Sequence, residues 1–275
     1  MPTWELTLDE ARCLVMVFAG MMGACFGSFL SVCIWRIPRG ESIVLPRSHC
    51  PNCNKLIPWY HNIPVLSWLA LGGKCASCKT KISPRYLLLE LLTAGLFLAA
   101  AWRFCEDPLV MLLMWLVVFG LELGTFIDLD WYILPDRVTI GGMVVGVAAS
   151  AFLPQLHGEN TWLGGLVWSG IGLAAGFGVL YLVSVVGKAV YKKEAMGFGD
   201  VKLMGAVGAF FGWQAVVFTL FVSSLLGSLV GIGLIVAKKR DLQGKIPYGP
   251  FIAAAAILWM LAGHGLARWY LALLK

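Results

Sequence analysis

Charged residues are scarce in this sequence. Asp, Glu, Lys and Arg make up 13% of its 275 residues, whereas hydrophobic residues make up 59%, and the mean hydropathy is +0.82. A typical soluble domain is about one quarter charged. A chain this apolar cannot cover a surface that faces water, so we expect lipid to be the solvent for most of it.

Three familiar signals are also missing. The first apolar run follows acidic residues (Glu5, Asp9 and Glu10) rather than a basic stretch, so no cleavable signal peptide is predicted. No internal repeat occurs, which disfavours a transporter built from two matching halves. No Gly-x-Ser-x-Gly turn occurs, and His157 and His264 are predicted to lie on the membrane side opposite the acids discussed below. A serine hydrolase is therefore disfavoured.

Apolar runs dominate the rest of the chain. A crossing helix needs roughly 17–25 apolar residues, and such windows lie near 13–35, 86–104, 109–128, 138–154, 163–187, 214–237 and 250–272. A further stretch at 201–213 is short for a crossing, and local thinning of the bilayer would accommodate it. The prediction is an all-α polytopic membrane protein with about eight transmembrane helices.

The distribution of positive charge sets the predicted orientation. The loop 36–85 holds eight Lys or Arg residues against one acid, Glu41, so we expect it to be cytoplasmic and the N-terminus to lie outside. The predicted parts are a first helix at 1–35, a cytoplasmic domain at 36–85 and a helical bundle at 86–275. The segment that holds Lys188, Lys192, Lys193 and Lys202 is then predicted to be cytoplasmic as well. A second basic cluster lies inside only if the short stretch 201–213 crosses the membrane: Lys238, Lys239, Arg240 and Lys245.

Four of the eight cysteines form two Cys-x-x-Cys pairs in this loop: Cys50 with Cys53, and Cys75 with Cys78. Four thiolates at such spacing favour a tetrahedral zinc site. Disulfides are disfavoured in a reducing compartment, and two matched pairs argue against a single redox dithiol. A structural zinc ion would replace the core that so small a loop lacks. Iron as the metal, and His49 or His61 as substitute ligands, remain alternatives.

Carboxylates at the ends of apolar spans are the second distinctive group, because acids in or beside a span are costly. Asp128 ends the third span, Asp130 and Asp136 follow it, and Asp200 begins the short stretch. The predicted topology places Asp128 and Asp200 at the cytoplasmic face. Two neighbouring carboxyl groups share a proton, so one can activate water while the other protonates a carbonyl oxygen, as in direct amide hydrolysis.

Each acid also has a purely structural interpretation. Asp200 could cap a helix N-terminus, and the acids before it could be interfacial residues near Arg137. Their occurrence on one face, with no other catalytic constellation, favours function. Gly197 and Gly199 would let the backbone approach closely and leave room for an extended substrate.

The order of these residues resembles that of the type IV prepilin peptidases, which are bifunctional leader peptidases and N-methyltransferases. Gly-x-Gly-Asp alone is shared with presenilin-like proteases, whereas the complete ordered set is specific. The similarity covers almost the whole chain, through the two cysteine pairs and these motifs: Gly27-Ser28-Phe29-Leu30, Arg36-Ile37-Pro38, Asn62-Ile63-Pro64, Leu71-Gly72-Gly73-Lys74-Cys75, Arg85-Tyr86 with Glu90, Ile127-Asp128, Leu134-Pro135-Asp136, Gly197-Phe198-Gly199-Asp200-Val201-Lys202-Leu203 and Pro247-Tyr248-Gly249-Pro250-Phe251.

The resemblance implies an enzyme of the bacterial inner membrane that serves pili or type II secretion. It would remove the short basic leader of prepilins and pseudopilins at the cytoplasmic face, cutting after a Gly that precedes Phe. It would then methylate the new N-terminal amine with S-adenosylmethionine, for which no Gly-rich fingerprint is present and no residues are assigned. The implied catalytic pair is Asp128 and Asp200, supported by Gly197, Gly199, Asp130, Asp136 and Lys202.

Prepilins and the lipid bilayer are the expected partners, and nucleic acid is not. Three alternatives differ in class: a general presenilin-like intramembrane protease, a transporter, and a non-enzymatic assembly factor that docks through the cysteine loop. Transporters usually place their acids near the membrane midplane, and the cysteine loop disfavours a presenilin-like protease. An assembly factor would tolerate Asn at both Asp128 and Asp200.

Overall fold

The computed structural model describes residues 8–192, 196–237, 246–263 and 265–266. Within these ranges the chain is helical, apart from turns and two isolated β-bridges that pair His49 with Leu56 and Lys74 with Lys81. Several residues that bear on the predicted topology lie outside the described residues, as does the end of the predicted span 250–272: Glu5, Lys193, Lys238, Lys239, Arg240, Lys245 and His264.

The described α-helices confirm the all-α prediction. Of these, α1, α3, α4, α6 and α7 are long and apolar enough to cross a membrane. The crossing number of eight and the outside N-terminus remain predictions. The helices are α1 (Leu8–Arg36), α2 (Leu66–Ala70), α3 (Pro84–Phe104), α4 (Pro108–Trp131), α5 (Asp136–Phe152), α6 (Trp162–Tyr191), α7 (Phe198–Val236) and α8 (Gly249–Leu258), the last followed by a π-helical turn (Trp259–Gly263).

The chain forms two compact units, of which the first ends at Phe119. In the first unit α1 packs along α3 with very little space between the backbones. A Cβ added at Gly23 would lie only 2.6 Å from the Ala94 Cα. Small residues permit this approach in membrane helices. The Phe97 ring stacks on Trp115 at 5.0 Å, and the Trp115 indole donates a hydrogen bond to the Phe97 carbonyl over 3.0 Å. These contacts tie the start of α4 to α3.

In the second unit α7 reverses its direction at Gly212. This residue has φ 79° and ψ 176°, outside the helical region. A Cβ on Gly176 of α6 would touch the Met204 carbonyl and would also lie 3.2 Å from Val216 Cγ2. Positions 204 and 216 would be about 18 Å apart in a continuous helix. α7 therefore consists of a first arm (198–211) and a second arm (213–236) that fold back on each other beside α6.

A polar cluster covers the reversal. The end of the first arm has carbonyls without helical partners, and the Ala209 carbonyl accepts hydrogen bonds from Ser169 at 2.8 Å and Ser150 at 3.3 Å. The Ser150 hydroxyl also lies 2.9 Å from His157 Nε2. Burial lowers the pKa of His157, against smaller opposing effects of the Ala209 backbone and the Glu159 charge. The cluster stabilises the turn with neutral groups.

Candidate active site and cysteine cluster

Asp128 lies in the last turn of α4, where its side chain is buried. Its Oδ2 atom accepts a hydrogen bond from the backbone N–H of Gly249, over 3.0 Å. Gly249 is the first residue of α8, and the first N–H groups of a helix have no partner within the helix. The N-terminus of α8 therefore orients the Asp128 carboxyl group.

Asp200 lies in the first turn of α7 and is also buried. Its backbone N–H donates to the Gly197 carbonyl over 3.1 Å. Its Oδ1 atom is buried and has no hydrogen-bond partner among the described residues. Asp200 is close enough to Asp128 for the two charges to interact electrostatically. The structure thus brings the predicted pair together at the ends of two helices.

Leu134 fills the space around the aspartates. A Cβ on Gly199 would lie 2.8 Å from Leu134 Cβ, so the backbone before Asp200 contacts this side chain directly. A Cβ on Gly249 would lie 3.3 Å from Leu134 Cδ1 and 2.8 Å from Asp128 Oδ2. Any side chain at position 249 would therefore displace the Asp128 carboxyl group. At Gly199 the close neighbour is the Leu134 side chain and not a second backbone segment, and the predicted room for a substrate remains a prediction.

The remaining predicted support residues take different positions. The Lys202 ammonium group lies 2.6 Å from Asp136 Oδ1 and 5.1 Å from the centre of the Phe198 ring. This ion pair joins the start of α5 to the first arm of α7. Asp130 is exposed and lies two residues beyond Asp128, which is about 200° around a helix. Asp130 therefore projects from a different face of α4 than Asp128 does.

The four predicted metal ligands converge in the first unit. The sulfur atoms of Cys50, Cys53, Cys75 and Cys78 lie within 4.8 Å of one another, and the Cys50 and Cys78 sulfurs are 3.8 Å apart. Zinc–sulfur bonds of about 2.3 Å in a tetrahedron also place the sulfurs about 3.8 Å apart. The donor set therefore fits a tetrahedral metal ion.

The two cysteine pairs have the same backbone turn. The Asn54 N–H donates to the Cys50 carbonyl over 2.8 Å, and the Lys79 N–H donates to the Cys75 carbonyl over 3.0 Å. Asn54 and Lys79 both have positive φ, at 53° and 60°. Repetition of this turn directs both sulfurs of each pair toward one point.

Polar groups beside the cluster favour a thiolate. The Thr80 hydroxyl lies 3.3 Å from the Cys78 sulfur, and the Asn52 amide donates to the same sulfur over 3.6 Å. Hydrogen bonds from Thr80, and then from Asn52, lower the pKa of Cys78 to about 5. A metal ligand must be deprotonated, so these neighbours suit the metal-binding form.

Residues 21–104 match the Bacterial Peptidase A24 N-terminal domain, and residues 111–232 match the Type IV leader peptidase family. A prepilin leader peptidase/N-methyltransferase of Aeromonas hydrophila is 39% identical over 289 residues, covering 94% of this chain and 93% of the relative. The chain belongs to the type IV leader peptidase family. A relative of the same name from Pseudomonas aeruginosa is 34% identical, with 91% of each chain covered. No solved structure matches the chain.

The family regions coincide with the two sites. The N-terminal match contains the cysteine cluster with most of α1 and all of α3, whereas the leader peptidase match contains both aspartates and ends in the second arm of α7. The catalytic roles of the aspartates in this family member remain predictions.

Two contacts were not predicted from the sequence. The Gly249 N–H that holds Asp128 comes from a position 121 residues away, and only the Tyr248-Gly249-Pro250 motif gave a signal for it. The second contact is made by Glu90, whose Oε2 atom accepts the Val65 N–H over 2.7 Å. Glu90 thereby holds Val65 at a positive φ of 63°.

Proposed function

We propose that this member of the leader peptidase family is a membrane aspartic endopeptidase. It removes the short basic leader of prepilins and pseudopilins after a Gly that precedes Phe, at the cytoplasmic face of the bacterial inner membrane. The proposal rests on one observation: two buried carboxyl groups, Asp128 and Asp200, lie at helix ends near enough to interact electrostatically, in a chain similar to prepilin leader peptidases.

The two carboxyl groups divide the acid and base roles of amide hydrolysis. One is ionised and takes a proton from the attacking water, while the other is protonated and donates to the carbonyl oxygen of the scissile bond. The tetrahedral intermediate then collapses as a proton passes to the leaving amine, so no covalent enzyme intermediate forms. The Gly249 N–H fixes the Asp128 carboxyl group. The buried Asp200 Oδ1 atom has no hydrogen bond among the described residues that would have to break before this carboxyl group takes part in the reaction.

The same chain then methylates the new N-terminal amine. Support comes from the match of residues 21–104 to the family's N-terminal domain and from relatives that are named N-methyltransferases. S-adenosylmethionine supplies the methyl group when bound, and no residues of the chain are assigned to it.

We further propose that the cysteine cluster holds one structural Zn²⁺ ion. The four sulfurs have the spacing of a tetrahedral site, and the Asn52 and Thr80 contacts supply the outer hydrogen bonds that such sites usually have. The metal would stabilise the fold of residues 48–81 and would take no part in either reaction.

The test uses purified enzyme and a full-length prepilin in detergent. Asp128→Asn and Asp200→Asn preserve shape but cannot exchange a proton, so each is expected to lower the cleavage rate by about 10²–10⁴-fold. The double variant should cleave about as slowly as the slower of the two single variants, since the two aspartates act as a unit. Asp9→Asn, at an exposed position of α1, is the matched control.

Mass spectrometry of the mature N-terminus separates the two activities. Wild-type product is expected to carry one added methyl group when S-adenosylmethionine is present, and none when it is omitted. Near-normal cleavage by either Asn variant that is correctly folded would contradict the assignment of that aspartate.

A further inference from the structure

A groove of about 350 Å³ lies in the second unit. Its walls include Met196, Tyr248 and Phe251, and Gly227 of the second arm lies at its floor. Met196 precedes Gly197, which contacts Asp200, and Tyr248 precedes Gly249, which donates to Asp128. Two residues that line the groove are therefore direct chain neighbours of residues that contact the aspartates.

The walls of the groove are fixed by hydrogen bonds and ring contacts. The Tyr248 hydroxyl lies 2.7 Å from Ser223 Oγ and 3.3 Å from Ser224 Oγ, so these polar groups satisfy one another. The Tyr248 and Phe251 rings are 6.4 Å apart at an interplanar angle of 53°. Both rings present apolar surface to the groove, and Ile246 adds another apolar wall.

Gly227 keeps the floor of the groove open. A Cβ at this position would lie 3.5 Å from Phe251 Cδ2 and 3.8 Å from Tyr248 Cε2. These distances are ordinary van der Waals contacts, so alanine would fit there without moving either ring. A longer side chain would extend into the space between the rings and occupy it.

We infer that this groove binds the aromatic side chain of the residue directly after the scissile bond. The inference rests on the proposed function, which places a Gly before the cut and a Phe after it. The Gly has no side chain with which to fill a groove, so the groove serves the residue that follows. Its apolar and aromatic walls suit a phenyl ring. Among the described residues that line the groove, none would offer a charged side chain a partner of opposite charge to replace its lost hydration.

The experiment compares prepilins that carry Phe, Leu or Ala after the cleaved Gly. Wild-type enzyme is expected to have the highest kcat/KM for Phe. Gly227→Leu fills the groove and is expected to lower kcat/KM for the Phe substrate by about 10-fold or more, with little change for the Ala substrate. Gly227→Ala should keep the wild-type preference, because its methyl group fits without moving either ring. The matched control, Gly233→Leu, lies on the same arm, where an added Cβ has no atom of the described residues within 4 Å, and should keep the wild-type preference.

Enlarging the groove gives an independent result if Gly227→Leu does not fold. Met196→Ala removes one wall and is expected to raise the rate for a Trp substrate relative to the Phe substrate by several-fold. The inference is overturned if a folded Gly227→Leu enzyme keeps the wild-type ratio of Phe to Ala cleavage. It is also overturned if Met196→Ala leaves the ratio of Trp to Phe unchanged. Failure of the wild-type enzyme to cut any of these prepilins would instead overturn the proposed function.

Discussion

Lys202 joins two helix starts that are 66 residues apart in the chain. Its ammonium group pairs with Asp136 of α5 and lies over the ring of Phe198, while its backbone belongs to the first arm two residues after Asp200. The Asp136 side chain is 64% exposed, and exposed ion pairs contribute little to stability. The main effect of this pair is therefore on the position of the first arm, and with it the position of Asp200.

Lys202→Met is expected to separate catalysis from stability. The melting temperature in detergent should change little, since the lost pair contributes about 0–1 kcal/mol. A displaced Asp200 should lower kcat by about 10-fold with KM nearly unchanged, because small misplacements of catalytic groups are costly. Lys188→Met, at an exposed position near the end of α6, is the control. A kcat loss that simply follows a loss of folded protein would contradict the positioning role.

His157 makes stability depend on pH. Burial lowers its pKa below the ordinary value of about 6.5, so the folded state binds this proton less readily than the unfolded state. The contribution of neutral His157 to the free energy of unfolding is then fully present above about pH 7, and it is lost as the pH drops through about 6.5. His157→Gln keeps a hydrogen-bonding group beside Ser150 and does not titrate. Melting temperatures measured from about pH 5 to 7.5 should fall less on acidification for this variant than for wild type, and parallel curves would refute the prediction.

At the scale of elements, residues 48–81 have little core of their own. Trp59, Tyr60 and Leu66 are more than half exposed, so this segment buries little apolar surface. Its turns have the positive φ values described above at Asn54 and Lys79, which cost free energy unless the surroundings hold them. A metal ion bound to both turns would supply that constraint.

Removal of the metal is expected to unfold this segment selectively. Elemental analysis of purified protein should find one zinc per chain, and a strong chelator should release it. Proteolysis should then cut between residues 48 and 81, while the helical circular dichroism signal changes little because the long helices do not depend on the metal. Cys78→Ser should behave like the chelated protein, and Cys13→Ser, an exposed cysteine of α1, should behave like wild type. A cysteine segment that resists proteolysis after metal loss would exclude the structural role.

The sequence predicted the helical elements and the cluster of four cysteines well, because apolar runs and Cys-x-x-Cys pairs are local patterns. It also separated the stretch 201–213 from the span after it, at the place where Gly212 reverses the chain. The Gly249 hydrogen bond to Asp128 and the packing of Leu134 against Gly199 were not predictable. Both depend on tertiary contacts between helix ends that are far apart in the chain, and local sequence patterns do not reveal such contacts.

At the scale of the whole molecule, the second unit contains helices shorter than a bilayer core. The first arm has 14 residues, from 198 to 211, which correspond to about 21 Å, whereas the hydrocarbon core is about 30 Å thick. α5 has 17 residues, or about 25 Å. These lengths match a membrane that is locally thin around the aspartates.

Cleavage is therefore expected to depend on bilayer thickness. In proteoliposomes, the rate should rise from dierucoyl to dioleoyl to dimyristoleoyl phosphatidylcholine, by several-fold across the series, since mismatch costs a fraction of a kcal/mol per Å. A short leader peptide that lacks the hydrophobic helix of the prepilin serves as the control substrate. It has no membrane helix whose length could mismatch the bilayer. Equal rates in all three lipids for both substrates would contradict the prediction.

The reversal at Gly212 also bears on how the protein is made. The first arm is short and contains Asp200 and Lys202, so it is a weak segment for insertion into a membrane by itself. The second arm has no charged residue over 213–236 and can supply the missing driving force. The two arms are therefore expected to enter the membrane together as one helical hairpin. On this expectation, the ribosome must synthesise the second arm before Asp200 can take its place near Asp128.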